Sequence, residues 1–347
     1  MQRKLIGTLF CMLLMVGAIV PVTATTLSEK SYHPLTRGNT LYVGGSGPGN
    51  YTTIQEALDA SADSDTVFVY DDSAPYYEAL TINHSITLAG ENQLSTIING
   101  SANEHGTIVV NAAGVMIRDL TVEDAQFGAL YILANHTMVT RMTFRDCAEC
   151  GILAINAKTS LEGIRIEENT FTRTNTAFYG YHCNGTIITR NDFDGNTNGI
   201  ALCSSFYANV SFNQIVENDY GYTDYMSGYN QIYSNNFRKN SYGVDVGGSY
   251  SDVVARNNFI DNTKNAFFGK YPYWGFQLKK IAFADRDLYF FKNYHLFGST
   301  LWRQNYWDAT RTHPYLIIGE TGFYVGYPTI PRIAFDKSPA QYPYNIP

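Results

Sequence analysis

Asn191-Asp192-Phe193-Asp194-Gly195-Asn196-Thr197-Asn198-Gly199-Ile200-Ala201-Leu202-Cys203 is the stretch whose reading decides the fold. Twenty-two residues later the chain reads Asn213-Gln214-Ile215-Val216-Glu217-Asn218-Asp219-Tyr220-Gly221-Tyr222-Thr223-Asp224-Tyr225. After a further 22 it reads Asn235-Asn236-Phe237-Arg238-Lys239-Asn240-Ser241-Tyr242-Gly243-Val244-Asp245-Val246-Gly247. The column Asn169, Asn191, Asn213, Asn235, Asn257 keeps this period, and so do Phe171, Phe193, Ile215, Phe237, Phe259. Asn196, Asn218, Asn240, Asn262 form a second Asn column; Gly199, Gly221, Gly243 and Ile188, Val210, Ile232, Val254 form two more. A fixed period of this length marks a repeat architecture, in which one unit cannot bury its apolar face and stacked neighbours bury it together.

The spacing of apolar columns within one repeat implies three short strands with bends between them. Successive turns then pair as parallel strands about 4.8 Å apart. The expected fold is all-β: a single-stranded right-handed parallel β-helix of about 22 residues per coil, most regular over 164–262. The Asn columns fall at bends. Asn tolerates left-handed backbone angles, and its amide can bond its equivalent one coil away. These residues are read as structural rather than catalytic.

Working outward, 115–122, 138–144 and 164–171 repeat the same strand with spacings of 24 and 27, which places extra residues in a protruding loop over 147–160. Thr53 to Ala60 reads as an amphipathic helix that caps the N-terminal opening, with apolar Ile54, Ala57 and Leu58, an N-cap Thr52 or Thr53, and Glu56 in the first turn. Strands are expected at 66–70, 80–82, 86–88 and 96–98. The period stops after Asn262. The aromatic block 267–307 follows, including Phe267, Tyr271, Trp274, Trp302 and Trp307, and Asn305-Tyr306-Trp307 repeats the Asn-x-aromatic anchor. The segments read as a signal over 1–24, a linker over 25–40, the β-helix over 41–310 and a Pro-rich capping tail over 311–347.

The ends and composition restrict partners. Arg3 and Lys4 before the apolar stretch 5–20, with Val22-Thr23-Ala24 as a cleavage site, read as a secretory signal. The expected location is secreted or cell-surface, with no membrane span left after signal removal. A net charge of −7 with 16% charged residues argues against nucleic acid. In an exported chain Cys147, Cys150, Cys183 and Cys203 are disulfide candidates, or free buried thiols, ahead of a zinc site. Sequons at Asn50, Asn83, Asn99, Asn135, Asn184 and Asn209 are glycosylation candidates.

The N-terminal block Tyr51-Thr52-Thr53-Ile54-Gln55-Glu56-Ala57-Leu58, then Asp65-Thr66-Val67-Phe68-Val69-Tyr70 and Ile86-Thr87-Leu88-Ala89-Gly90, resembles that of pectin-lyase-like β-helix proteins. The Asn-x-Phe repeats resemble the parallel β-helix repeats of NosD-like, carbohydrate-binding and sugar-hydrolase proteins. The ending Ala334-Phe335-Asp336-Lys337-Ser338-Pro339 to Pro347 is similar to the C-termini of exported methanogen surface proteins in this group. The resemblance spans about residues 40 to 347. It implies the fold, while that fold carries lyases, hydrolases, epimerases and non-enzymatic proteins alike.

Strand alternation turns Ile200 and Leu202 inward. Tyr179, Ala201, Thr223, Asp245 and Tyr181, Cys203, Tyr225 then form two outward columns. Tyr179, Tyr181 and Tyr225 are candidate sugar-binding rings. Asp245, and Asp224 if a bulge turns it outward from its inward register, are candidate catalytic acids; such a pair also suits Ca2+. Beyond that, no metal site or cofactor motif is read. His182 beside Cys183 raises a metal-handling alternative. The leading reading is a non-enzymatic protein whose partner is a polysaccharide or cell-envelope glycan; the alternatives are a polysaccharide lyase, hydrolase or epimerase, and a metal-handling accessory protein.

Overall fold

The computed structural model describes residues 38–103, 106–156, 158–249, 251–270, 300–309, 313–322 and 329–347. The signal and most of the linker, Cys11, and Tyr271 to Phe276 of the aromatic block lie outside the described residues. The chain is a right-handed parallel β-helix of about ten coils. Its strands fall into three long sheets: a first running from Thr40–Val43 to Leu301–Arg303, a second from Ile97–Asn99 to Tyr306–Trp307, and a third from Leu80–Ile82 to Thr329–Asp336. One regular coil contributes Ile187–Thr189, Asp192–Asp194 and Asn198–Cys203 in turn. Coils pair in register, Phe171 with Phe193 and Phe193 with Ile215, which is the 22-residue period expressed as a ladder.

The interior columns are buried and stacked. Phe144, Phe171 and Phe193 lie face to face at 5.0 and 4.8 Å, and Phe237, Phe259, Trp307 and Tyr315 continue the pile at 5.1, 4.4 and 4.1 Å. Parallel in-register strands force identical positions together, so aromatic rings offset-stack rather than meet edge on. Trp307 extends the pile across the long break in period, as its Asn-x-aromatic spacing implied.

The Asn columns are hydrogen-bond ladders with a direction. In each, the Oδ1 accepts the backbone N–H and the amide N–H of the Asn one coil earlier, as Asn213 does for Asn191 at 2.9 and 3.0 Å. The Nδ2 also donates to a strand carbonyl, Ile188 O for Asn213 at 2.9 Å. The left-handed angles do not fall on these Asn residues. They fall on the residue just before each: Glu168, Arg190, Phe212, Ser234 and Arg256 have φ between 53° and 58°. The bend thus sends that preceding side chain outward and leaves the Asn free to point in. Since the backbone N–H and one amide N–H of each Asn point toward the C-terminal end, each ladder needs an acceptor there. The first ends on Asp336, which accepts from Asn305 N and Nδ2, Trp307 Nε1, Gln304 N and Ser338 N. The second ends through Asn265 on Asp308. A carboxylate, having no donor of its own, is the natural last member.

At the N-terminus the helix Ile54–Ala60 packs Ile54, Ala57 and Leu58 into the core, with Thr53 as N-cap accepting from Glu56 N. Glu78 takes the free N–H groups of Ile54 and Gln55 at 2.9 and 3.0 Å. The other end differs from a simple tail. Tyr315–Gly322 adds a parallel strand to the third sheet, and Thr329–Asp336 pairs antiparallel on it. Residues 344–347 then run back across the second sheet, held by Asn258, Asn236 and Gln214. The loop expected over 147–160 is also smaller, because Cys150–Ile155 is a full strand of the third sheet. The extra residues follow it, where Leu161–Glu162 pairs with Cys183–Asn184.

Candidate functional site

The outer face of the third sheet carries three side-chain columns. Register places Tyr220, Tyr242 and Lys264 in one; Thr223, Asp245 and Phe267 in the next; Tyr225, Gly247, Gly269 and Glu320 in the last. The strands skip one residue in register at a bulge here, Gly199, Gly221 and Gly243 in the regular coils, which leaves two successive residues facing inward, Gly221 then Tyr222. A Cβ on Gly221 would lie 2.7 Å from Gly243 O, a close approach that favours glycine there, although Ala177 and Asn265 hold the same position in the flanking coils. The bulge is what brings Tyr220 and Thr223, three residues apart, onto the same outer face.

Tyr220 and Tyr242 stack at 4.9 Å, and the Lys264 ammonium lies 5.2 Å from the Tyr242 ring centre and 4.2 Å from that of Phe267. Rings on two sides hold this cation by their negative faces. Asp245 sits beside it, half-buried. Its pKa is pushed up to about 6, chiefly by burial; Lys264 pulls it down and Glu320 pushes it up. Burial likewise raises the Tyr220 phenol, helped by Tyr242, Asp245 and Asp219. The patch therefore offers flat apolar rings, one cation and one carboxyl able to change state near neutral pH.

The sequence candidates are only partly gathered here. Tyr225 is one coil from Asp245. Tyr179 and Tyr181 lie on the same face but three coils away, roughly 14 Å at the spacing of parallel strands. Asp224 corrects the expectation of an outward bulge: it lies between Leu202 and Val246 in the inward column and is 1% exposed. Tyr222 OH, Asn230 Nδ2 and Ser249 Oγ donate to it at 3.0, 2.9 and 3.0 Å, so the fold keeps a carboxyl inside by surrounding it with donors. It cannot pair with Asp245, and with it goes the Ca2+ pair on the strip. The other acidic residues of these coils do not join them: Asp192 and Asp194 face out from the second sheet and Glu217 pairs with Lys239 at a corner.

No disulfide links the four cysteines. Cys147 precedes the second Asn ladder in its corner, while Cys183 points inward and donates weakly to Ala154 O. Cys203 stands in the outward column with Tyr181 and Tyr225, so the register never brings it opposite Cys183. Burial pushes the Cys147, Cys150 and Cys183 thiols up to about 12. Among the sequons, Asn83 has an exposed side chain, while Asn99 is buried and bonded to Glu123 and Asp124. Asn50, Asn135, Asn184 and Asn209 are half-buried and hydrogen-bonded.

Of the patch residues, Phe267 is visible in the sequence only as part of the aromatic block, and Lys264 and Glu320 belong to no motif read there. Lys264 continues the 22-residue column of Asn198, Tyr220 and Tyr242 and could have been found by that rule. Glu320 follows a long interruption of the period and left no such signal.

The protein is thus a parallel β-helix with an aromatic and charged patch on one outer sheet. By its sequence it belongs to the family described as periplasmic copper-binding protein (NosD), whose model matches residues 58–277. No curated protein matches the chain. Among solved structures it is similar to the Azotobacter vinelandii mannuronan C-5 epimerase AlgE6 A-module, with a TM-score of 0.51 at 17% identity over 74% of this chain and 83% of that one. It is also similar to XylC in complex with xylose, with a TM-score of 0.56 at 10% identity over 67% of each chain. The bacteriophage CBA120 tailspike protein 2 enzymatically active domain gives a TM-score of 0.52 at 10% identity, over 80% of this chain and 41% of that one. At these identities the likeness is one of fold.

The family description implies copper, and the described residues do not fit it. No group of three His, Cys, Asp or Glu side chains among them could hold a metal ion. His182 stacks outward on Tyr181 at 4.3 Å while Cys183 points into the core. Thiols raised to about 12 are protonated, whereas the thiolate is the copper ligand.

Proposed function

We propose that the protein is an exported β-helix that binds an acidic polysaccharide on the outer face of its third sheet. The observation that carries this reading is Lys264 held between the rings of Tyr242 and Phe267, beside Asp245. Rings of this kind stack on the apolar face of a pyranose, and the ammonium pairs with a uronate carboxylate. The periplasmic family description and the sugar-active names of the fold neighbours agree with export and with a glycan partner.

A second reading has its own support. A carboxyl titrating near 6 beside a lysine could take a proton from a uronate, which would make the protein a lyase or epimerase. Affinity measurements and turnover assays of the full chain on polyuronates and neutral glycans separate the two. Binding lost at least tenfold in Lys264→Ala and Tyr242→Ala, without turnover, supports the first. Turnover abolished by Asp245→Asn replaces it with the second, and wild-type protein that retains no polyuronate removes both.

A further inference from the structure

Asp224 and Asp252 meet inside the coil. Asp224 accepts from Tyr222 OH, Asn230 Nδ2 and Ser249 Oγ. Asp252 is fully buried one coil beyond Asn230, and its Oδ1 accepts the Asn230 N–H at 2.8 Å. Its Oδ2 is buried with no partner. In the neighbouring ladders this atom is an amide nitrogen: Asn235 and Asn240 each donate from Nδ2 to a strand carbonyl at 2.9 Å. Asp252 therefore puts an acceptor where the fold supplies acceptors and needs a donor.

Among the described residues, the ionisable groups facing this pair are the two carboxyls themselves and the Tyr222 phenol. None of them is a cation. Two carboxylates in contact inside a protein without a counter-ion are strongly unfavourable, and one bound proton removes the conflict. We infer that Asp224 and Asp252 share a single proton at neutral pH, carried on Asp252 and donated to Asp224, and that its loss at alkaline pH loosens the coils over 220–254. The proton gives Asp252 the donor that an Asn would have, and Asp224 becomes the acceptor that ends this ladder.

The directions of titration agree. Burial raises Asp252 well above the ordinary carboxylate range, with the Asp224 charge adding to it, and burial raises Asp224 while its donors pull it back. A folded-state value above the unfolded one gives stability that is full below the unfolded value, falls as pH rises toward the folded value and then levels off. The loss therefore begins above the ordinary carboxylate range and ends where the shared proton leaves the folded protein.

The test uses the full chain. Infrared spectra at neutral pH should contain a protonated carboxyl band that is absent in Asp252→Asn. The wild-type melting point should fall as pH rises from 6 while the band is present and level off where the band disappears, and Asp252→Asn should lack that fall below about pH 9, where the buried thiols begin to contribute to both proteins. Absence of the band, or parallel melting curves for the two proteins, overturns the inference. So does a wild-type melting point that rises on adding Na+ or Ca2+ where Asp252→Asn does not respond, because the pair would then hold a cation. If Asp252→Asn does not fold, the wild-type band decides: it must persist over the pH range in which stability falls and disappear where the fall levels off.

Discussion

Replacing Asn235 by Ala removes one rung from the middle of the first ladder. Asn235 is fully buried. Its Oδ1 accepts from Asn213 N at 3.0 Å and Asn213 Nδ2 at 2.9 Å. Its Nδ2 donates to Val210 O at 2.9 Å and Asn257 Oδ1 at 3.0 Å. After truncation Asn213 Nδ2 still reaches Ile188 O, and Asn257 Oδ1 still takes the backbone N–H of residue 235. Asn213 N and Val210 O lose their ladder partner. At about 1–3 kcal/mol for each unsatisfied buried group, the loss is about 2–6 kcal/mol before any cavity term. An exposed neighbour, Arg238→Ala, should change stability by no more than about 0.5 kcal/mol. Denaturant unfolding gives the size of the loss. Hydrogen exchange gives its place, because in a stacked repeat the damage should concentrate in the adjoining coils. A variant within about 1 kcal/mol of wild type, with Asn213 N still protected, would refute the claim that the ladder holds the coils.

Asp336→Asn should lower stability by about 2–4 kcal/mol, because an N–H would face Asn305, Trp307 or Ser338 donors; the near-ultraviolet signal of Trp307 should weaken in melts of the variant. Cys147, Cys150 and Cys183 should alkylate slowly in the native protein at pH 8 and quickly once unfolded, and an intact mass lower by about 2 Da per bridge would contradict the thiol assignment. Asp245 is raised from 3.8 to about 6 on folding, so its contribution to stability is full at low pH and falls as pH rises through that window. Asp245→Asn should flatten the melting-point profile between those values; an unchanged profile would mean that the carboxyl is not held in the buried setting described.

Residues 164–262 announce their coil because parallel in-register stacking repeats the same environment every 22 residues. Phe193, Asn191 and Gly199 must recur where packing, laddering and the bulge recur. The inward register of Asp224 follows from the same rule, yet a carboxyl in an apolar column reads locally as an error. What makes it tolerable, Ser249 and Asn230, lies 25 and 6 residues away. The patch is legible only in part: Lys264 is in period, but its pairing with Phe267 and the arrival of Glu320 depend on a strand that follows the break. The cysteines are legible in the same partial way: an even number suits either bridges or free buried thiols, and the register, which separates Cys183 from Cys203, depends on the fold. The sequence by itself determined the coil, its period and which side chains face inward, because those depend on contacts between identical positions one period apart. The tertiary structure decided what closes the ladders, what keeps Asp224 inside and what surrounds Asp245, because those contacts join residues that share no period.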